Sequence, residues 1–163
     1  YQPPGVWDSP YSGERWTNAQ SEDKWRRGLY VFWKRTSPYP AFTAFDASSR
    51  ETCTVRRSRT NTPLQALTLL NDPAYLEAAK GLGKRMMSRD TDAARVAVGF
   101  RLATCRAPTP TEVARLTKLA GQLRARYRED LGAAKALGGS LEGAVWIMVG
   151  NVLLNLDETI TKS

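Results

Sequence analysis

Two helix starts, each built from a capping residue and a proline, stand ten positions apart at Thr62-Pro63 and Asp72-Pro73 and leave the chain between them little freedom. The Thr or Asp side-chain oxygen accepts from an orphan N–H one turn in. Proline suits the first helical position because no backbone donor is needed there and its φ is already set. The residue before a proline is driven out of the helical region, so a helix opening at Pro63 must close near Asn71 before Asp72-Pro73 starts the next. Leu64, Leu67 and Leu70, widened by Ala66 and Leu69, give that helix an apolar stripe and predict a buried helix pair. Immediately upstream, Cys53 to Arg59 reads as extended and basic, carrying Arg56, Arg57 and Arg59 to the mouth of the pair. That cluster is either an anion site or a scaffold. Asn61, Thr62, Gln65, Asn71 and Asp72 could orient a ligand beside it, but capping and turn roles account for them equally well.

Downstream the spacing stays helical. Tyr75, Ala79, Leu82 and Met86 mark a helix from Pro73 to Met87, and Val96, Phe100 and Ala103 mark another over Asp92 to Thr104. Thr109-Pro110-Thr111-Glu112 is a capping box opening a helix whose inner face is Val113, Leu116, Ala120, Leu123 and Tyr127. Asp130 to Leu137 adds a short helix, and Ser140 caps Leu141 to Leu154, apolar on nearly every face and therefore central. That last segment falls short of the about 18 to 20 apolar residues a membrane span needs.

Before Pro63 the pattern changes. Residues 1–23 read as irregular structure, and 24–163 as a single, mainly helical module. The run Leu29 to Trp33 is short, aromatic and β-branched, which favours a strand over a two-turn helix, and Glu51 to Arg57 is a second strand candidate that could pair with it. The expected fold is mainly α: an orthogonal bundle of about five helices over 63–154 with a small extended or β, arginine-rich N-terminal part.

Histidine is absent, which removes Ser-His and Cys-His nucleophile systems, His-ligated metals and an in-chain His-ligated haem. Cys53 and Cys105 cannot make a cysteine-rich metal site alone, and they are expected to be two independent, buried thiols. No metal and no cofactor are expected in this chain. Of the net charge of +8, a local +7 lies between Lys24 and Arg59, where only Asp46 and Glu51 oppose nine basic residues. Eleven of the fifteen aromatic residues precede Asp46, in the same part of the chain. Arginine forks bind carboxylate, sulfate and phosphate, and aromatic faces stack on sugars, bases or guanidinium planes. Arg26, Arg27, Lys34, Arg35, Arg56, Arg57 and Arg59, with Trp33 and Tyr39, are thus the candidate anion-binding residues. The opposing reading is an internal network plus aromatics docked on another domain. Asp46 and Glu51 are the only acid/base pair near the basic stretch, and nothing in the sequence fixes their separation.

The segments CTVRRSRTNTPLQALTLLNDPAYLEAA, RRGLYVFWKRTSPYPAFTAFDASSRE and NVLLNLDETITKS resemble the planctomycete-type DUF1553 family, over roughly Trp25 to Ser163. The resemblance implies a C-terminal module of a large exported protein, periplasmic or at the cell surface, whose other domains often include a cytochrome c-like one. Any haem would then sit in that neighbour. The family brings no established reaction. Within its motif Cys53, Asn61, Thr62, Pro63, Gln65, Asn71, Asp72 and Pro73 are the marked positions. Cys53 falls on a family cysteine, whereas Cys105 falls where a glycine is expected. The expected function is a non-catalytic binding or structural module that meets the N-terminal domains of its parent protein and takes acidic or sulfated polysaccharide. A share in a polysaccharide-acting enzyme with catalytic residues elsewhere is the alternative, and nucleic-acid binding ranks last.

Overall fold

The computed structural model describes residues 1–2, 4–8, 15–34, 36–56, 58 and 60–161. Eight α-helices are present among the described residues: α1 (Pro40–Ala44), α2 (Pro63–Asn71), α3 (Pro73–Met86), α4 (Asp92–Thr104), α5 (Pro110–Glu129), α6 (Leu131–Gly138), α7 (Leu141–Leu154) and α8 (Asp157–Ile160). Two single-turn 3-10 helices, Glu22–Trp25 and Gly28–Tyr30, precede them. No strand occurs among the described residues. The chain divides into two compact units, Tyr1–Thr68 and Leu69–Ser163.

In the second unit, α7 is the axis, packed by α3 most extensively and also by α5 and α6. Its Val145, Trp146, Val149 and Leu153 are fully buried, together with Met86 of α3, Val96 of α4 and Ala120 of α5. Local chemistry sets the helix starts. Asp72 caps α3 by accepting from the Ala74 N–H at 2.8 Å, and Asp130 caps α6 by accepting from the Ala133 N–H at 2.8 Å. Ser140 caps α7, and Thr109 with Glu112 forms the expected reciprocal box at the start of α5. Val113, Leu116, Leu123 and Tyr127 pack half-buried against the core around Ala120, as their spacing predicts. Gly83 permits the close approach of α3 to α7: a Cβ there would lie 2.9 Å from the backbone carbon of Trp146 and the nitrogen of Ile147. No single helix among the described residues is long and apolar enough to cross a membrane. The α6–α7 pair reaches that length only across a 66° bend, and α7 spends its apolar surface in the core.

Cys105 ends α4 in the left-handed region, with φ +66°. Helices commonly stop on such a residue, and glycine is the usual occupant because a Cβ is strained there. The glycine expected at this position therefore has a conformational cause. Both cysteines are unpaired, but both are exposed rather than buried. An exposed Cys105 loses little packing on truncation, so Cys105→Gly is expected to raise stability by about 0.5–1 kcal/mol, the relief of left-handed strain less the added freedom of the unfolded chain. A urea midpoint equal to or below that of the parent protein would count against this.

In the first unit neither expected strand forms among the described residues. Residues 29–30 lie in a 3-10 turn, and the described part of the Glu51 to Arg57 candidate is irregular. The aromatic side chains pair with one another instead of lining a sheet. Phe32 meets Trp7 edge-on, Trp7 meets Trp16, and Trp16 stacks on Tyr39. Tyr39 meets Phe42, which stacks on Trp33. Hydrogen bonds button the segments carrying these rings together, from Trp7 Nε1 to Ser37 O at 2.9 Å and from Tyr39 OH to Tyr1 O at 2.6 Å. Trp7 and Trp16 of the N-terminal segment thus join the same ring cluster as Phe32, Tyr39 and Phe42.

Candidate binding surface

The residues singled out in the sequence separate into three groups. The polar motif residues are fasteners. Thr62 and Gln65 form a capping box at the start of α2: the Gln65 N–H donates to Thr62 Oγ1 at 3.2 Å, and the Thr62 N–H donates to Gln65 Oε1 at 3.1 Å. Gln65 is buried, and its Nε2 donates to Thr60 Oγ1 at 2.9 Å and to Asp46 at 3.4 Å. Asp46, itself at φ +58°, accepts from the Thr60 N–H at 2.7 Å and from its hydroxyl. This carboxylate fastens Asp46 to Thr60 and Gln65 ahead of α2. Pro63 and Pro73 stand at their helix starts as expected, and Asn61 is exposed ahead of α2. The leucine stripe of α2 is corrected: Leu64, Leu67 and Leu70 are exposed, whereas Gln65 and Leu69 are buried.

The second group is held inside the aromatic ladder. Trp33 stacks on Phe42 and has the Arg50 guanidinium 5.0 Å from its ring centre, and Tyr39 is stacked on Trp16. Lys34 is only 6% exposed, with Nζ 4.8 Å from the Trp7 ring centre. These rings are committed to one another.

The third group is open. Trp25 and Tyr30 are 50% and 62% exposed, and each has a cation at its face, Lys24 at 5.0 Å from the first ring centre and the Arg26 guanidinium at 5.9 Å from the second. Arg26 also binds Asp23 at 2.7 Å, which holds that carboxylate below its usual range. Arg27 and Arg56 are exposed. Leu29 and Phe32 are exposed beside them in the chain. Arg35, Arg57 and Arg59 lie outside the described residues. No group of three or more Cys, Asp or Glu side chains among the described residues is placed to hold a metal.

The strongest electrostatic cluster escaped sequence reasoning. Arg124 of α5 donates to Glu142 of α7 at 2.6 and 2.9 Å and to Asp92 of α4 at 2.6 and 2.8 Å. Glu142 also accepts from Trp146 Nε1 at 3.0 Å, and the Arg95 and Arg124 guanidinium groups lie over the buried Trp146 ring at 5.4 and 5.7 Å. The hydrogen bonds from Arg124 hold both carboxyls below their usual range. A second clamp joins Arg106 to Glu112 and Glu158, each at 2.7 Å, over the Phe100 ring, and pushes Glu112 down to about 2. Both clusters tie helices together, and the only sequence trace of the first was Glu142 interrupting an apolar run four residues before Trp146.

The family described as PSD1, protein of unknown function (DUF1553), matches residues 1–120. The chain belongs to this family. The DUF1553 match begins earlier than the Trp25 suggested by motif resemblance and takes in the whole aromatic unit with α3 and α4. It stops within α5, so the closing NVLLNLDETITKS segment lies beyond it. No curated protein and no solved structure matches the chain.

Proposed function

We propose that this DUF1553 chain is a non-catalytic binding module that takes an acidic or sulfated polysaccharide on the exposed face of residues 24–30, within an exported, larger protein. The observation that carries the reading is the pairing of exposed rings with cations at Trp25 and Tyr30, next to the open Arg27. Aromatic faces pack on sugar rings while the cations meet carboxylate or sulfate groups, so one short segment offers both halves of glycan recognition. A second reading, docking of the parent protein's N-terminal domains, is favoured by the exposure of Leu29 and Phe32 in the same segment.

The test is titration with heparin at low and high salt, beside neutral dextran and duplex DNA. Heparin is expected to bind and to weaken as salt screens exposed charges over about 10 Å at 0.1 M. Removing Trp25 and Arg27 together as alanines should lower affinity about tenfold, near 1.4 kcal/mol, with the melting temperature unchanged. Absence of salt-sensitive heparin binding defeats the polysaccharide reading, and tighter binding to DNA than to heparin would replace it with nucleic acid.

A further inference from the structure

We infer that Asp23 is an internal competitor for the ligand's acid group: its carboxylate occupies the Arg26 guanidinium, and an incoming carboxylate or sulfate must displace it to reach that cation. The inference rests on the reading of residues 24–30 as the polysaccharide-binding face and names how that face is regulated.

A local turn holds the two side chains together. Glu22–Trp25 is a single 3-10 turn, closed by the Arg26 N–H donating to Asp23 O at 3.1 Å. In a 3-10 turn the side chains at i and i+3 eclipse, so Asp23 and Arg26 are brought face to face. Arg26 Nε accordingly donates to Asp23 Oδ1 at 2.7 Å. The other carboxylate oxygen, Oδ2, accepts from Ser21 Oγ at 3.1 Å. Ser21 is itself the N-cap of the turn, its Oγ accepting from the Asp23 N–H at 3.4 Å, so the carboxylate is aimed from its own backbone. The cation it holds is the one beside the exposed Tyr30 ring, 5.9 Å from the ring centre. Asp23 therefore offers Arg26 the same group that an acidic polysaccharide would bring. The Arg26 and Asp23 side chains are 59% and 62% exposed, and water and salt weaken an ion pair that open. Such a bond is a poor fastener for the fold. It is a workable competitor, because a ligand that also engages the Tyr30 ring and Arg27 can replace it.

The experiment is heparin titration of the full chain and its variants at fixed low salt, beside a melting curve for each. Asp23→Asn keeps the shape of the side chain and an acceptor for Ser21 but drops the charge. It should tighten heparin binding about two- to fivefold, the range an exposed ion pair supports, with melting unchanged. Glu22→Gln removes the same charge one position away and leaves the Asp23–Arg26 pair in place, so it measures the general effect of charge and should gain less. In an Arg26→Gln background, Asp23→Asn should gain no more than Glu22→Gln does. Polygalacturonate, whose acid groups are all carboxylates, is titrated alongside: a gain with both polymers assigns exchange with a carboxylate, and a gain with heparin alone assigns a sulfate ester. Heparin binding by the parent with equal gains from Asp23→Asn and Glu22→Gln overturns this inference and leaves the exposed-face reading standing. So does a drop of several degrees in melting for Asp23→Asn at unchanged affinity, which would make the pair a fastener. Absence of salt-sensitive binding in the parent and in every variant overturns both.

Discussion

Replacing Trp146 with alanine is expected to destabilise the Leu69–Ser163 unit by about 3–5 kcal/mol, a large share of the about 5–15 kcal/mol that holds a typical domain together. The side chain is fully buried on α7, among Val145, Val149, Met86 and Val96 of the same core. Truncation removes its transfer free energy and leaves a cavity that α3 cannot readily fill, because Gly83 already brings the two backbones into contact. It also strips Arg95 and Arg124 of the ring beneath them and Glu142 of one donor. Trp146→Phe separates these losses. It keeps most of the buried ring but not the N–H, and Glu142 still has Arg124, so about 1–2 kcal/mol is expected. Urea unfolding followed by far-ultraviolet circular dichroism is the right measure, since Trp146 is the only tryptophan beyond Trp33 and fluorescence would follow the other unit. A loss below about 1 kcal/mol for the alanine variant would mean that the core is not organised around this ring.

What could be read in the sequence was local. The starts of α3, α5 and α7 were legible because Asp72, Thr109 and Ser140 act on N–H groups two or three residues away. The seam of α5 was legible because its apolar residues repeat with the helical period while the opposite face is charged. In α2 the same reasoning chose the wrong face, since leucines stand on two sides and periodicity cannot rank them. The burial of Gln65 is decided by Asp46, nineteen residues earlier, whose carboxylate with Thr60 satisfies the amide. Strand propensity misled at Leu29 to Trp33 for a related reason. β-branched and aromatic residues favour strands by packing against cross-strand neighbours, and here Phe32 and Trp33 found rings from distant segments instead. Of the candidate site, the excess of cations and rings was visible. Which rings stay open was not, because it depends on partners such as Trp7 and Trp16 in a segment without any period.

The cluster around Arg124 was illegible for the opposite reason. Asp92, Arg124 and Glu142 are each ordinary helix-surface residues until three helices meet, and their meeting predicts an acid-sensitive bundle. Arg124→Met is expected to cost about 2–3 kcal/mol at pH 7. Removing one partner of a fully buried pair costs about 3–5 kcal/mol, but Asp92 and Glu142 are 29% and 43% exposed, and solvent screening lowers the figure. Arg95 lowers it further, because it stays 3.5 Å from Glu142 and 3.7 Å from Asp92. The pH dependence follows from the depressed folded-state values of the two carboxyls, caused first by their hydrogen bonds from Arg124. A carboxyl depressed in the folded state adds stability that is complete above its unfolded value, roughly 3.9 for Asp and 4.3 for Glu. That stability is lost as pH falls through the folded value. The parent protein should therefore hold its stability down to about pH 5 and lose it steeply below. Arg124→Met should start lower, fall less, and approach the parent near pH 3, where the carboxyls it left unpaired take up protons. Glu112, held down to about 2 by Arg106, contributes in the same direction in both proteins and leaves a shared residual slope. Urea midpoints at pH 7, 5, 4 and 3 test the argument: curves that stay parallel across that range would show that Arg124 acts by packing on Trp146 and not through its charge.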